Sequence, residues 1–526
     1  MLKDFFINDI GIKNRRDLVI NVIELAVVLL AAIVFNFISS KLIFGKDSGY
    51  LGYLVWIAAC YIIYVLYKMR KIAVKRMEVL FAVTALILGT FYIAVSPATV
   101  GVSWDDQIHY GSAVLGISPL AGRKYYKADE DDIASAGEIG ASFTVEQGKA
   151  GLTRDGREEL SDRLNSEFKS GEDGANVISH LNFQAVAYIP SAIGIIIGRI
   201  IRLSWTGCFN LGRFFNLLAY VTIIAIAIYR LKSCKLTCAL IGLIPSSIFM
   251  ASSYSYDPWV IAWLILGFVE FFNMISDSEK KISTKSWMRM LLIFFIGLLP
   301  KMVYVVILLP LLFVSLERFE NKKQAVILKS SVFIAALILA VSYAAPELYY
   351  GALLKGDTRG GDGVNPLGQV SFLIHEPGKA WKIITDFAVK YVGLNVGSTY
   401  FQKFAYLGDG NFEILTWVAL ALGIAMEEKK DTWCPRIIRI SGLIGIALGV
   451  IVVILSLYVA FNVVGSKAVQ GVQNRYIFPL LFPLFYYLKA DSIKVKWDSE
   501  KLAVWPVAFM SLSFIYNIYA LCVAFY

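Results

Sequence analysis

Charge is what this sequence has least of. Asp, Glu, Lys and Arg together make up 17% of its 526 residues, where a soluble globular chain carries about a quarter. Apolar side chains fill the gap at 57%, with a mean hydropathy of +0.64. No water-facing surface accommodates that balance, so a soluble enzyme or binding module is excluded. Histidine is nearly missing, with three in all, and none of the six cysteines has a metal-ligand spacing. Cys234 and Cys238 stand four apart with no His or acidic neighbour, and read as buried thiols rather than a metal or disulfide site. The glycine-rich "GDTRGGDG" at 356–363 lacks a following Lys-Ser/Thr, which excludes a P-loop. There is no internal repeat and no low-complexity tract.

What the chain does have is apolar runs approaching the ~20 residues a bilayer-spanning helix needs. They fall at 18–38, 50–67, 78–97, 183–202, 212–229, 236–251, 257–274, 287–299, 302–316, 325–345, 412–426, 437–464, 474–488 and 503–524. The expectation is an all-α polytopic membrane protein with about 13–14 transmembrane helices, several short enough to need tilt or a thinned bilayer. The first run follows a Lys/Arg-bearing start and lacks a small-residue cleavage pattern, so it reads as a retained anchor. Two polar stretches, 98–181 and 346–411, are too long for turns and are where function is expected. They divide the chain into N-terminal membrane helices (1–97), a first loop (98–181), a membrane core (182–345), a second loop (346–411) and C-terminal membrane helices (412–526).

The net charge of +10 does not indicate a nucleic-acid partner, because of where the charge sits. Segment 99–181 is acidic, with fifteen Asp/Glu against eight Lys/Arg. The cations gather in short loops: "KMRKIAVKRM" (68–77), "YRLKSCK" (229–235), "ERFENKK" (317–323) and "LKADSIKVK" (488–496). Such loops mark the cytoplasmic side. Both long loops then lie outside, together with His109, His180, His375 and the 471–476 stretch. The two halves of the chain disagree by one crossing, and the fault lies between 181 and 212, where 183–202 carries Pro190 and reads equally as a broken or re-entrant helix.

Four short stretches carry chemistry in that outer layer. In "SWDDQIHY" (103–110), Asp105 and Asp106 are adjacent acids, and His109 follows one helical turn later. A partly desolvated carboxylate there gains basicity and accepts a proton from a hydroxyl. In "SSYSYDPW" (252–259), Asp257 is placed to cap the next helix, with Pro258 at its first position, and still to face a cavity or a cation. In "LPKMVY" (299–304), Lys301 sits between apolar stretches, where it must snorkel or meet an anion. In "VQNRYIFP" (472–479), Arg475 suits a phosphate, and the amides Gln473 and Asn474 suit sugar hydroxyls. Each has a plainer reading as a cap, an anchor or an aromatic-belt residue. The piece "HEPGKAWKIITDFAVKYVGL" (375–394) has the pattern of an amphipathic helix lying in the membrane interface.

The order of these pieces resembles a bacterial membrane-protein family catalogued as domain of unknown function 2142. Its Pro-Asp-Glu-x-x-His pattern reads here Trp104-Asp105-Asp106-Gln107-Ile108-His109, with Trp for Pro and Asp for Glu. Its Ser-x-Ser-Tyr-Asp appears as Ser253 to Asp257, its Lys-x-x-Tyr as Lys301 to Tyr304, and its Gln-Gly-Arg-Tyr-x-x-Pro as Gln473 to Pro479 with Asn for Gly. That family is in turn similar to the glycosyltransferase C superfamily. The resemblance implies a glycosyltransferase C-like fold in a bacterial plasma membrane, with extracytoplasmic loops carrying short helices. It implies an enzyme moving a sugar from a polyprenyl-phosphate-linked donor to an envelope glycan acceptor. Asp105 or Asp106 would act as the base and His109 would orient it or add charge. Asp257, Lys301, Tyr304, Gln473, Asn474, Arg475 and Tyr476 would hold substrate and phosphate. It fixes no cofactor with certainty, and leaves room for a divalent cation (Mg or Mn) on Asp106 and Asp257. A transporter or flippase, or a polymerase of lipid-linked polysaccharide, is the alternative.

Overall fold

The computed structural model describes residues 15–42, 49–115, 141–166, 183–349, 360–361, 363–393, 399–427, 434–488 and 502–526. Among these the chain is helical throughout and forms no strand, only isolated bridges between Val364 and Val463 and between Lys403 and Asp409. The helices used below are α1 (Arg15–Leu42), α2 (Gly49–Met69), α3 (Met77–Val95), α4 (Asp106–Leu115), α5 (Ala141–Ala150), α6 (Arg154–Ser166), α7 (Ile189–Ile200), α8 (Trp205–Arg230), α9 (Lys235–Gly242), α10 (Pro245–Ala251), α11 (Asp257–Ile275), α12 (Thr284–Leu298), α13 (Lys322–Tyr349), α14 (Pro366–His375), α15 (Pro377–Val392), α16 (Glu413–Met426), α17 (Arg436–Phe461), α18 (Phe478–Leu488) and α19 (Val504–Ile518).

Eight of these are long and apolar enough to cross a bilayer among the described residues: α1, α2, α3, α8, α11, α13, α17 and α19. This is an all-α, multi-pass membrane protein. The bundle is organised around α11, whose span is 78% buried, while α1 at 6% presents nearly all its apolar side chains outward, as a lipid-facing helix must.

The six remaining apolar runs form short or divided helices, as expected of runs that need tilt or a thinned bilayer. Run 236–251 divides at Leu243 and Ile244 because Pro245 starts a new helix, giving the short pair α9 and α10. Run 302–316 becomes a 3-10 turn at Met302–Leu308 followed by a single α-turn at Leu309–Leu312. α12, α16 and α18 have 15, 14 and 11 residues, and α18 contains Pro483.

Run 183–202 is the sixth, and it accounts for the missing crossing. α7 has only 12 residues and pairs with the start of α8 as a hairpin. Glycine makes the approach: a Cβ on Gly194 would lie 2.4 Å from the Leu211 carbonyl oxygen, and one on Gly198 would lie 3.1 Å from the Cys208 Cα. Small residues at i and i+4 allow this backbone-to-backbone contact. The segment therefore enters and leaves at the same end of the bundle, and the crossings on either side agree.

The two ends of the bundle differ in chemistry. At one end the buried Glu270 carboxylate of α11 takes both Arg230, from the end of α8, and Arg289 of α12, the latter at 2.7 Å. Arg318 nearby donates to the carbonyls of Met274 at 3.0 Å and Asp277 at 2.6 Å, and Glu427 after α16 caps the start of α9 through the Thr237 amide at 3.1 Å. The basic loops 229–235 and 317–323 lie at this end. At the other end lie the loop after α3, the loop before α11, Lys301 after α12 and the 473–476 turn before α18.

Candidate functional site

The 95–105 stretch leaves α3 and must turn sharply to begin α4. Asp105 makes the turn with φ +51°, a left-handed conformation that Asp tolerates better than most residues. Its carbonyl then accepts the amides of Ile108 and His109, both at 3.0 Å, so it caps α4 and its own carboxylate points away from the helix start. The next residue behaves differently. The Asp106 carboxylate folds back and accepts three amides, Gly101 at 2.8 Å, Val102 at 3.0 Å and Ser103 at 2.8 Å. Burial pushes its carboxyl up to about 6, against those three donors, which favour the ionised form. Of the two adjacent acids, one therefore closes a loop and the other faces the site. Asp106→Ala would leave three amides without their acceptor, at about 1–3 kcal/mol each when buried. The expected result is a large drop in the melting temperature of the purified protein, rather than a folded protein that has merely lost activity.

The site itself is an ion cluster assembled from four distant segments. Asp257, the first residue of α11, accepts Lys301 Nζ on Oδ1 at 3.1 Å and meets Arg475 Nε on Oδ2 at 2.9 Å. Arg475 Nη2 lies 3.7 Å from Asp105 Oδ2. Side-chain exposure is 6% for Asp257, 13% for Lys301 and 3% for Arg475, against 24% for Asp105. Asp257 is therefore the buried hub, and Asp105 is the member a substrate can reach.

Aromatic rings enclose the cluster. The Arg475 guanidinium stands over Trp104 at 4.6 Å, and Lys301 Nζ lies 3.6 Å from the Tyr476 ring centre and 5.3 Å from that of Tyr256. Ring faces attract cations most where water is excluded. The phenols do further work: Tyr304 donates to the Tyr476 carbonyl at 2.6 Å, and Tyr391 of α15 donates to the Gln473 carbonyl at 2.8 Å. Asn474 is tied to the Thr399 carbonyl at 3.2 Å. Gln473 Oε1 is buried and has no hydrogen-bond partner, as is Gln107 Oε1 on α4. Such acceptors call for a ligand or water.

His109 stands beside the cluster with its ring edge-on to Tyr256 at 5.0 Å, and its Nδ1 is 2.7 Å from the Tyr188 hydroxyl. Burial pushes its imidazole down to about 4, outweighing the pull of Asp105. That shift favours the uncharged ring. It remains a hydrogen-bonding partner.

The expected residues thus divide. Asp105, Asp257, Lys301, Arg475, Tyr304 and Tyr476 converge, while Gln473 and Asn474 build the turn that carries Arg475. Asp106 does not face the cluster. Of the other histidines, His375 bonds within its own helix, to the Ser371 carbonyl at 2.8 Å, and His180 lies outside the described residues. Metal binding fits poorly. Asp257 is engaged by two cations and Asp106 by three amides, and no group of three His, Cys, Asp or Glu side chains comes together among the described residues. No divalent cation is assigned to the site. The sequence reading left Trp104, Tyr188, Tyr256 and Tyr391 out of the site. A signal existed for two of them, since Trp104 precedes Asp105 and Tyr256 precedes Asp257 just as Tyr476 follows Arg475.

One further residue was missed altogether. Arg213 of α8 is 2% exposed. It donates to the Ser252 carbonyl at 2.9 Å, the Pro97 carbonyl at 3.3 Å and Ser96 Oγ at 2.6 Å, which joins the loop bearing Asp105 to the loop bearing Asp257.

The model of the family described as predicted membrane protein, domain of unknown function 2142, matches residues 86–484. The chain belongs to this family. The matched stretch begins within α3 and ends within α18, so every residue of the cluster lies inside it. No significant match appears among curated proteins or among solved structures.

Proposed function

We propose that this chain is an integral membrane glycosyltransferase that moves a sugar from a polyprenyl-phosphate-linked donor to an envelope glycan, on the outer face of a bacterial plasma membrane. The observation that carries the reading is the placement of Asp105 within 3.7 Å of Arg475, with Lys301 held beside them by Asp257. The resemblance to the glycosyltransferase C superfamily implied by the sequence motifs is in keeping with this reading.

In this reading an acceptor hydroxyl oxygen attacks the anomeric carbon of the lipid-linked sugar. Asp105 takes the hydroxyl proton, and the bond from the anomeric carbon to the phosphate oxygen breaks with its electron pair on the phosphate. Arg475 and Lys301 offset that charge. Arg475 meets Asp257 through Nε and Asp105 through Nη2, which leaves Nη1 to donate, and a lysine ammonium has three donors of which Asp257 takes one. Stabilisation of leaving-group charge by fixed donors in a water-poor site is the largest contribution expected. Neutral His109 and Tyr188 shape the wall behind Asp105.

The lipid would approach past α15. This helix buries Ala380, Ile384 and Tyr391 and exposes Trp381 and Val389, with Lys379 and Lys382 exposed nearby. An apolar outer face with lysines suits the headgroup region of a membrane, and Tyr391 connects it to the turn that carries Arg475.

A transporter or polymerase of lipid-linked polysaccharide would also bind phosphate. A transport path, however, would distribute polar groups through the bundle, and here the four ionic residues of the site gather at one end. The deciding experiment is linkage analysis of envelope glycans with and without the protein. Loss of one sugar or branch, restored by the wild type and not by Arg475→Ala, is the expected result. Loss of all exported polysaccharide would favour the transporter.

A further inference from the structure

A second polar recess, of about 470 Å³, opens beside the loop that leads to Asp105. It shares Ser96, Pro97 and Ala98 with that loop, and no member of the ion cluster lines it. Its other walls come from α6, the start of α8, Tyr50 at the head of α2 and Tyr526. The volume falls within the range of small-molecule sites, about 300–1,000 Å³.

The lining specifies a chemistry. Tyr50 and Tyr526 meet edge-to-face with ring centres 5.5 Å apart, which presents aromatic surface to the recess. Arg157 stands 5.4 Å from the Tyr526 ring and is tied to backbone, through Nη2 to the Val95 carbonyl at 2.7 Å and through Nε to the Gly151 carbonyl at 3.2 Å. Beside this tethered cation stand two carboxylates, Glu158, which pairs with Arg154 at 3.6 Å, and Asp162, so the recess has no excess of positive charge to hold a polyanion. Carboxylates and hydroxyls accept from sugar hydroxyls, and tyrosine rings pack on the apolar face of a pyranose. Asn210 on the wall accepts Arg213 Nη1 at 3.2 Å, and Arg213 also holds Ser96, so the recess and the Asp105 loop share one rigid support.

We propose that this recess is the binding subsite for the acceptor glycan, and that it takes a neutral or amino-sugar oligosaccharide. The inference rests on the glycosyltransferase reading for the word acceptor, but the binding itself is tested without any transfer reaction. The full chain in lipid nanodiscs is examined by saturation-transfer NMR with three soluble probes: cellohexaose, a chitosan hexamer and a galacturonic acid hexamer. The neutral or the amino-sugar hexamer is expected to receive saturation and the acidic one is not. Tyr50→Ala and Asp162→Ala, both at solvent-exposed side chains, are expected to weaken binding by about tenfold each, the loss of one good contact, with no change in melting temperature. Asp105→Asn is expected to leave binding unchanged, so failure of transfer and failure of acceptor binding are read separately. Saturation of none of the probes, preference for the acidic hexamer, or binding indifferent to both substitutions overturns the proposal.

Discussion

Asp257→Asn is expected to destabilise the protein more than any other single change in the site. The wild-type carboxylate faces Lys301 and Arg475, and the three side chains are 6%, 13% and 3% exposed. Replacing it by an amide removes the carboxylate that bridges the two buried cations, leaving Lys301 without its ion pair and Arg475 with Asp105 at 3.7 Å, at a cost of about 3–5 kcal/mol. The attraction within the trio is only part of that figure; the rest is the penalty of leaving Lys301 desolvated without a counter-charge. Thermal unfolding in nanodiscs should show a clear fall in midpoint. A second measurement separates this mechanism from general disruption. In a Lys301→Met background one orphaned cation is already gone, so the further loss on adding Asp257→Asn should be smaller than in the wild type, a coupling expected only of residues in direct contact. Equal losses in both backgrounds would show that Asp257 does not hold Lys301.

The membrane class of this chain follows from composition alone, because a bilayer accepts only helices whose backbone is satisfied internally, and apolar runs of sufficient length announce them. What composition does not convey is where a run breaks. Pro245 sits in a stretch as apolar as the real spans, yet a new helix starts there, while Pro483 lies inside α18 without ending it. The short α7 gave itself away only indirectly, through the parity of the basic loops. Its cause, the Gly194–Gly198 face against α8, lies in a pairing that no local window contains.

The site was legible to the extent that ionisable residues at membrane depth are costly and mark function. Asp105, Asp257, Lys301 and Arg475 stand out for that reason. Arg213 is no less buried, but it sits inside an apolar helix run without an acidic neighbour in sequence, and its acceptors, the Ser252 and Pro97 carbonyls and Ser96 Oγ, belong to loops far along the chain. The different fates of Asp105 and Asp106 were equally hidden. Both are acids at the start of a helix, and only the left-handed turn at Asp105 sends one carboxylate toward Arg475 and the other back to the 101–103 amides.

That division gives the second large effect. Asp105→Asn is expected to abolish sugar transfer while leaving the protein folded. The substitution keeps size and shape, and Asn tolerates the left-handed conformation as well as Asp does. Its carbonyl still caps α4, so the helix start survives. Asp257 still pairs with both Arg475 and Lys301, so neither buried cation loses its closest counter-charge. What disappears is a proton acceptor beside the attacking hydroxyl, a contribution of about 10²–10⁴ in rate. A single-turnover assay with a synthetic short-chain polyprenyl-phosphate sugar and purified protein should show that fall with an unchanged melting temperature. Asp105→Glu should recover part of the rate, because the longer carboxylate reaches the same space at some cost in alignment. The opposite pattern at Asp106, where stability falls first, would complete the separation. Full transfer activity in Asp105→Asn would remove the base from this site and leave Arg475 and Lys301 as binding groups alone.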